Sequence, residues 1–185
     1  MRSIELTRDA SLRLGTLADA PAIDALMKAS GAEIFPRFYT PEQAESAVRF
    51  VAQVDPALLE DGTFFVLEAG GQLVGCGGWS RRNRLYTGSG DGIDDARLLD
   101  PATEPAKVRA MFVRADWTRR GLGRRILEEC EAAARREGFR RLALMATLPG
   151  LPLYSAYGFE SLKEEDVVLE DGVPLECVSM EKPID

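Results

Sequence analysis

The stretch "AKVRAMFV…GLGRRILEECEAAARR", within residues 106 to 136, changes its hydrophobic period once. Its first part reads as a strand. From Gly121 onward, Leu122, Ile126, Leu127, Cys130 and Ala134 form one apolar stripe at helical spacing, while arginines and glutamates occupy the other face. A strand that feeds an amphipathic helix predicts a mixed α/β architecture. The passage is also basic, with Arg114 and, around two glycines, Arg119, Arg120, Arg124 and Arg125.

The remaining segments fit that frame. Residues 12–14 read as a short strand, and Leu17, Ile23, Leu26 and Met27 follow helical spacing up to Gly31, which offers a stop. "TPEQAESAVRFVAQV" predicts a second helix, with Thr40 as N-cap, Pro41 as first helical residue and Gln43 completing a capping box. "GTFFVLEAG" and "QLVGCGGWS" meet at Gly70-Gly71, a hairpin signal. "FRRLALMAT" reads as a buried strand, and "FESLKEEDVVLEDGVPLECVSME", residues 159–181, as a closing hairpin turned at Asp171-Gly172. The expected order is βααβββαβ, then a short helix and ββ, in one domain spanning residues 1–185. No internal repeat or low-complexity linker interrupts it.

Composition narrows the function classes. A net charge of −7 with a pI near 4.8 argues against general affinity for nucleic acid or anionic membrane, so any bound anion must be met locally. The three cysteines are far apart and there is no histidine, which excludes a disulfide scaffold and histidine-based metal or triad chemistry; no metal site is expected. No run approaches a membrane span, and the N-terminal residues lack a signal-like apolar core. The expectation is a reduced, cytoplasmic protein.

A helix start supplies unpaired backbone N–H groups and the positive end of the dipole. Gly121 and Gly123 would let an anionic oxygen approach that backbone, with the arginines at the rim. The dinucleotide pattern GxGxxG fails because Ile126 stands where the third glycine is needed, and no GxxxxGK[ST] occurs. A plain solvated basic helix start is the competing reading.

With those residues in view, the chain resembles the GNAT (Gcn5-related) N-acetyltransferases. "TRRGLG" at 118–123 matches the family pattern [Q/R]xxGx[G/A], except that Thr118 replaces the first residue, and "LPLYSAYGF" at 151–159 resembles the family's FYxxxGF segment. The resemblance implies a mostly antiparallel mixed sheet flanked by helices, with splayed central strands. It implies acetyl-CoA between strands ending near Val113 and Thr147, its pantetheine arm along Met111 and Val113. The diphosphate would rest on Arg119, Arg120, Gly121, Leu122, Gly123 and Arg124. A backbone amide at a bulge in the fourth strand, near Phe112, would polarise the carbonyl, and Tyr154 would act as general acid, with Tyr157 its rival in the same turn.

The acceptor would be a primary amine on a small molecule or a protein. Glu33 is a candidate base, and Tyr39 and Trp79 are candidate pocket aromatics. Residues 83–105, carrying five acidic and two basic side chains, are expected to border the acceptor. Homodimerisation through the closing hairpin is a further expectation from relatives. The alternative is a non-catalytic acyl-CoA-binding module on the same fold.

Overall fold

The computed structural model describes residues 10–84 and 96–185. In chain order its elements are β1 (Ser11–Leu14), α1 (Ala20–Ile34), α2 (Pro41–Phe50), α3 (Pro56–Glu60), β2 (Phe64–Ala69), β3 (Gln72–Ser80), β4 (Ala106–Val113), α4 (Leu122–Arg136), β5 (Arg141–Thr147), α5 (Leu151–Tyr157), β6 (Glu160–Val168) and β7 (Pro174–Pro183). Among the described residues, seven strands form one sheet in the order β1-β2-β3-β4-β5-β7-β6. Every neighbouring pair is antiparallel except β4 with β5. The mixed, mostly antiparallel sheet expected from the sequence is therefore present.

Local chemistry accounts for most of the boundaries. The Thr40 hydroxyl accepts from the Gln43 amide at 3.2 Å while the Gln43 side chain accepts from the Thr40 amide at 3.1 Å, the reciprocal cap that starts α2. Gly70 and Gly71 both have positive φ, 58° and 78°, as a two-residue hairpin turn that matches strand twist requires. Two boundaries depart from expectation. Gly31 does not stop α1, which runs on to Ile34; the glycine is buried, and a Cβ there would lie 2.9 Å from the Phe35 ring, so its small size serves packing. "PALLE" forms α3, too short for a periodic signal, although Asp55 accepts from the Ala57 amide at 3.0 Å just ahead of Pro56.

Helices cover both faces. The stripe of α4 packs Leu122, Ile126, Leu127 and Cys130 onto Leu67, Val108, Leu142 and Leu144. Each fully buried aliphatic side chain of this kind contributes about 1.5–3 kcal/mol by leaving water. On the opposite face, Ile23, Leu26 and Met27 of α1 and Leu58 and Leu59 of α3 cover Phe64, Val66 and Cys76. The segment from Phe35 to α2 covers Val167, Leu175 and Cys177.

β4 is the irregular strand. It pairs with β3 along its length but meets β5 only at Ala106↔Leu142 and Lys107↔Ala143, after which the two parallel strands separate. Its pairing with β3 jumps from Gly78↔Arg109 to Cys76↔Phe112. Ala110 and Met111 thus stand opposite Gly77 alone, a β-bulge in which Ala110 has φ 56°. The Cys76 thiol donates to the Ala110 carbonyl at 3.7 Å.

Candidate active site

The chain leaves β4 through a bond from the Arg114 amide to the Val74 carbonyl, 2.9 Å, and a single 3₁₀ turn at Ala115–Trp117. Arg119 then takes a left-handed φ of 61°, and Gly121, at φ 78°, caps α4. No side chain caps this helix, so its first amides are left for another acceptor. A Cβ at Gly121 would meet nothing within 4 Å, which places that glycine against open space. Thr118, at the departure from the family pattern, donates its hydroxyl to the Ala115 carbonyl at 2.9 Å and so stabilises the turn.

Gly123 faces the other way. It is buried, and a Cβ there would lie 2.7 Å from Leu153 Cδ2, so its missing side chain lets α5 approach α4. Leu122 is likewise buried in the core. Around them the arginines divide. Arg119 is exposed and makes no ion pair or hydrogen bond among the described residues. Arg120 lies 4.7 Å over the Trp117 ring and donates to the Asp116 carbonyl. Arg124 pairs with Glu128 at 3.1 Å and lies 5.5 Å from the Tyr157 ring.

The gap between β4 and β5 opens beside this turn. Because the Arg114 amide bonds β3, strand alternation turns the backbone of Val113 toward the gap. The Val113 carbonyl is already met by Ser30 of α1, whose hydroxyl donates to it at 2.7 Å. Met111 packs with the α4 core, whereas Phe112 points to the other face, its ring 6.3 Å edge-on from Phe35. The bulge expected near Phe112 lies at Ala110 and Met111, one to two residues earlier.

α5 carries two tyrosines with different surroundings. Tyr154 packs edge-on against Phe159 at 5.9 Å, and its hydroxyl has no hydrogen-bond partner among the described residues. Burial, with Cys130 nearby, raises its pKa, so the phenol holds its proton at neutral pH. Tyr157 donates to Glu131 at 2.7 Å, and Lys182 donates to the same oxygen at 3.0 Å. Burial and that bond raise its pKa. Glu131 is held below the usual carboxylate range because the two donors outweigh its burial.

The expected acceptor residues do not converge. Glu33 is exposed on the last turn of α1, 3.7 Å from Arg37. Tyr39 is buried, donating to the Glu176 carbonyl at 2.8 Å and accepting from the Leu148 amide at 2.9 Å, so both capacities of its hydroxyl join the α1–α2 connection to β7 and the end of β5. Trp79 is 1% exposed in the α4-side core, edge-on to Phe139 at 5.9 Å. An aromatic so placed packs the fold and lies on a different cluster from Tyr39 and Phe35. Cys76 is buried, its thiol pushed up to about 12, and stays protonated. In the 83–105 segment Arg97 pairs with Glu104 at 2.8 Å; Asp91, Asp94, Asp95 and Tyr86 lie outside the described residues.

Sequence reading passed over three features: Ser30 at the mouth of the gap, the Glu131 hub, and a buried ion pair between Arg109 of β4 and Asp55 at 2.8 Å. For the last, an arginine inside the apolar run "AKVRAMFV" was the available signal. Among the described residues no group of three potential ligands could hold a metal ion, and no helix is long and apolar enough to cross a membrane.

The arrangement has counterparts. The chain aligns with a GCN5-related N-acetyltransferase structure from Rhodopseudomonas palustris at a TM-score of 0.70 and 19% identity, covering 94% of each chain. PaiA N-acetyltransferase from Thermoplasma acidophilum, in complex with coenzyme A, aligns at 0.65 and 14%, over 94% of this chain and 98% of that one. YncA of Salmonella typhimurium, a putative acetyltransferase with acetyl-CoA, aligns at 0.62 and 18%, over 96% and 95%. No curated protein sequence matches. These likenesses establish the fold, and the model of the acetyltransferase (GNAT) domain matches residues 60–161, more than half of the sequence and the whole span from β2 to α5. The chain therefore belongs to the GNAT acetyltransferase family.

Proposed function

We propose that residues 1–185 form one N-acetyltransferase domain that moves acetyl from acetyl-CoA to a primary amine by direct attack on the thioester. The observation that carries this reading is the juxtaposition of a strand gap with an uncapped helix start. Val113 turns its backbone into that gap, while Gly121 presents open space and Arg119 an exposed charge at its edge. Acetyl-CoA, when bound, supplies the activated acetyl thioester.

The amides from Arg119 to Arg124 would hold its diphosphate, with the side chains of Arg119, Arg120 and Arg124 adding charge; Leu122 and Gly123 contribute backbone alone. The backbone at Met111 and Val113 would pair with the pantetheine amides as an added strand. An amide of the Ala110–Phe112 bulge would donate to the thioester oxygen as negative charge develops there. Tyr154, with an uncommitted and protonated hydroxyl, would give its proton to the departing thiolate sulfur; the attacking nitrogen loses a proton to water or to a carboxylate such as Glu33. Tyr39 would fix the wall of the acceptor side. Three free cysteines, all buried, fit the proposed reducing cytoplasm.

A panel of small amines, polyamines and peptides with free N-termini or lysines, assayed for thiol release from acetyl-CoA, tests the reading. Amine-dependent release with an N-acetylated product is the expected result. Tight acetyl-CoA binding with no release across the panel would favour the acyl-CoA-binding module instead.

A further inference from the structure

Strand β4 changes the parity of its side-chain alternation partway along its length. Ala106 and Val108 face the core under α4, and so do Met111 and Val113. Strict alternation from Val108 would bring residues 110 and 112 to that core and send Met111 and Val113 to the opposite face. The bulge at Ala110 absorbs the mismatch, and it does so with a non-glycine residue in a left-handed conformation that costs free energy. Something must hold the first half of the strand in place for that cost to be met.

Arg109, immediately before the bulge, is the residue with that role. Its side chain is 2% exposed and reaches the opposite face, where it donates to Asp55 Oδ2 at 2.8 Å. Asp55 is 6% exposed and is itself fixed, capping α3 through the Ala57 amide and receiving Arg84 at 3.2 Å. Burying both charges is costly, and such pairs are best attested where they specify a register. Here a slip of one residue would carry the guanidinium into the apolar core under α4. We propose that the Asp55–Arg109 pair is a register lock for the β4 bulge, making both positioning residues for the backbone amide aimed at the reacting carbonyl. Neither touches a reacting atom. The catalytic half of this proposal rests on the acetyl-transfer reading above; the register half does not.

The test is Asp55→Asn in the full chain, with three readouts: single-turnover kcat, acetyl-CoA affinity, and the backbone amide resonances of residues 109–113. The expected result is a kcat lower by about 10–100-fold, since a donor displaced by an ångström loses that much, with the affinity for acetyl-CoA within about twofold of wild type. The Ala110, Met111 and Phe112 amides should shift. Adding Ala110→Gly, which adopts the left-handed conformation without strain, should recover several-fold of the lost kcat. Asp61→Asn, which breaks the neighbouring pair with Arg82, is the control and should leave kcat and the β4 amides unchanged.

If Asp55→Asn does not fold, Arg109→Lys keeps the charge, loses the fork and is read the same way. A folded variant whose β4 amides match wild type, or a kcat loss that Ala110→Gly leaves untouched while those amides shift, overturns the positioning role. If the wild-type chain shows no transfer at all, the acetyl-transfer reading fails, and the amide shifts alone decide whether the pair sets the register.

Discussion

Two sets of arginines lie at opposite ends of the sheet and behave differently. Around the end of β3, Arg81 and Arg82 make close bonds to Glu137 and Asp61, and Arg84 and Arg109 reach Asp55; Arg82, Arg84 and Arg109 line a cavity of about 270 Å³ together with Asp55 and Asp61. At the start of α4, Arg119 is exposed with no partner among the described residues, and Arg120 rests on a tryptophan ring. The same side chain serves as a strut where carboxylates surround it and, in the function proposed above, as a docking charge where backbone amides are left open. Residue type alone does not distinguish these uses; the partner does.

That contrast can be broken by substitution, and the largest effect is expected at the open end. Tyr154→Phe should lower kcat by roughly 10²–10⁴ with little change in acetyl-CoA affinity or melting temperature, as loss of a general acid does. Tyr157→Phe removes a bond to charged Glu131, so it should cost about 1.5–3 kcal/mol of stability and change kcat only slightly. Stopped-flow kinetics and thermal melts on the two variants decide the assignment; a Tyr154→Phe enzyme with wild-type kcat in a chemistry-limited regime would assign the hydroxyl to packing.

Next come the glycines. Gly121→Val forces a branched residue into a left-handed φ and puts its side chain where the anion would approach. Titration should show acetyl-CoA binding at least tenfold weaker, about 1.4 kcal/mol. Gly123→Val should instead cost about 1–3 kcal/mol of stability through the collision with Leu153, read as a lower melting temperature. A stable Gly123→Val protein with intact α4–α5 packing would show that this glycine too serves the ligand.

A smaller effect separates the arginines directly. Arg119→Ala should weaken acetyl-CoA binding about threefold, less so at high salt, and leave stability alone. Arg82→Ala, losing its two bonds to Asp61, should do the reverse. Equal losses of affinity from both would erase the distinction between strut and docking charge.

The smallest effect is in acid. Burial pushes the Asp55 carboxyl up, but Arg109 and Arg84 outweigh it and hold the group below its ordinary range. Its contribution to stability is therefore complete above the unfolded value near pH 4 and disappears as pH falls through the lower native value. Asp55→Asn should flatten the acid limb of a stability–pH curve; an unchanged slope would mean the pair is not formed in solution.

Much of the fold was legible because its signals are local. Thr40, Gln43, Gly70-Gly71 and Asp171-Gly172 each act on the adjacent backbone, and the structure has them where the residues place them. The stripe from Leu122 to Ala134 was equally plain, since burial by one neighbouring layer imposes one period. Long-range demands were not legible. That Gly123 is small for Leu153, or that Trp79 meets Phe139, depends on elements far along the chain. The bulge was displaced for the same reason, because its position is decided by what each half of β4 packs against.

Leu153 and Tyr154 also set the latitude that this molecule has for change. Each sits in a notch left by a glycine, Leu153 against Gly123 and Tyr154 against Gly150, where a Cβ would come within 2.6 Å of the ring. Two adjacent side chains of one short helix thus hold two positions to the smallest residue, one at that helix's own start and one in α4, and neither pair can drift without the other member. By contrast, Phe38, in the connection between α1 and α2, is 46% exposed and fills no such notch. Variation among descendants of this sequence should therefore accumulate at exposed positions such as Phe38, while its neighbours Phe35 and Tyr39, both buried, stay fixed with the glycine-notched pairs.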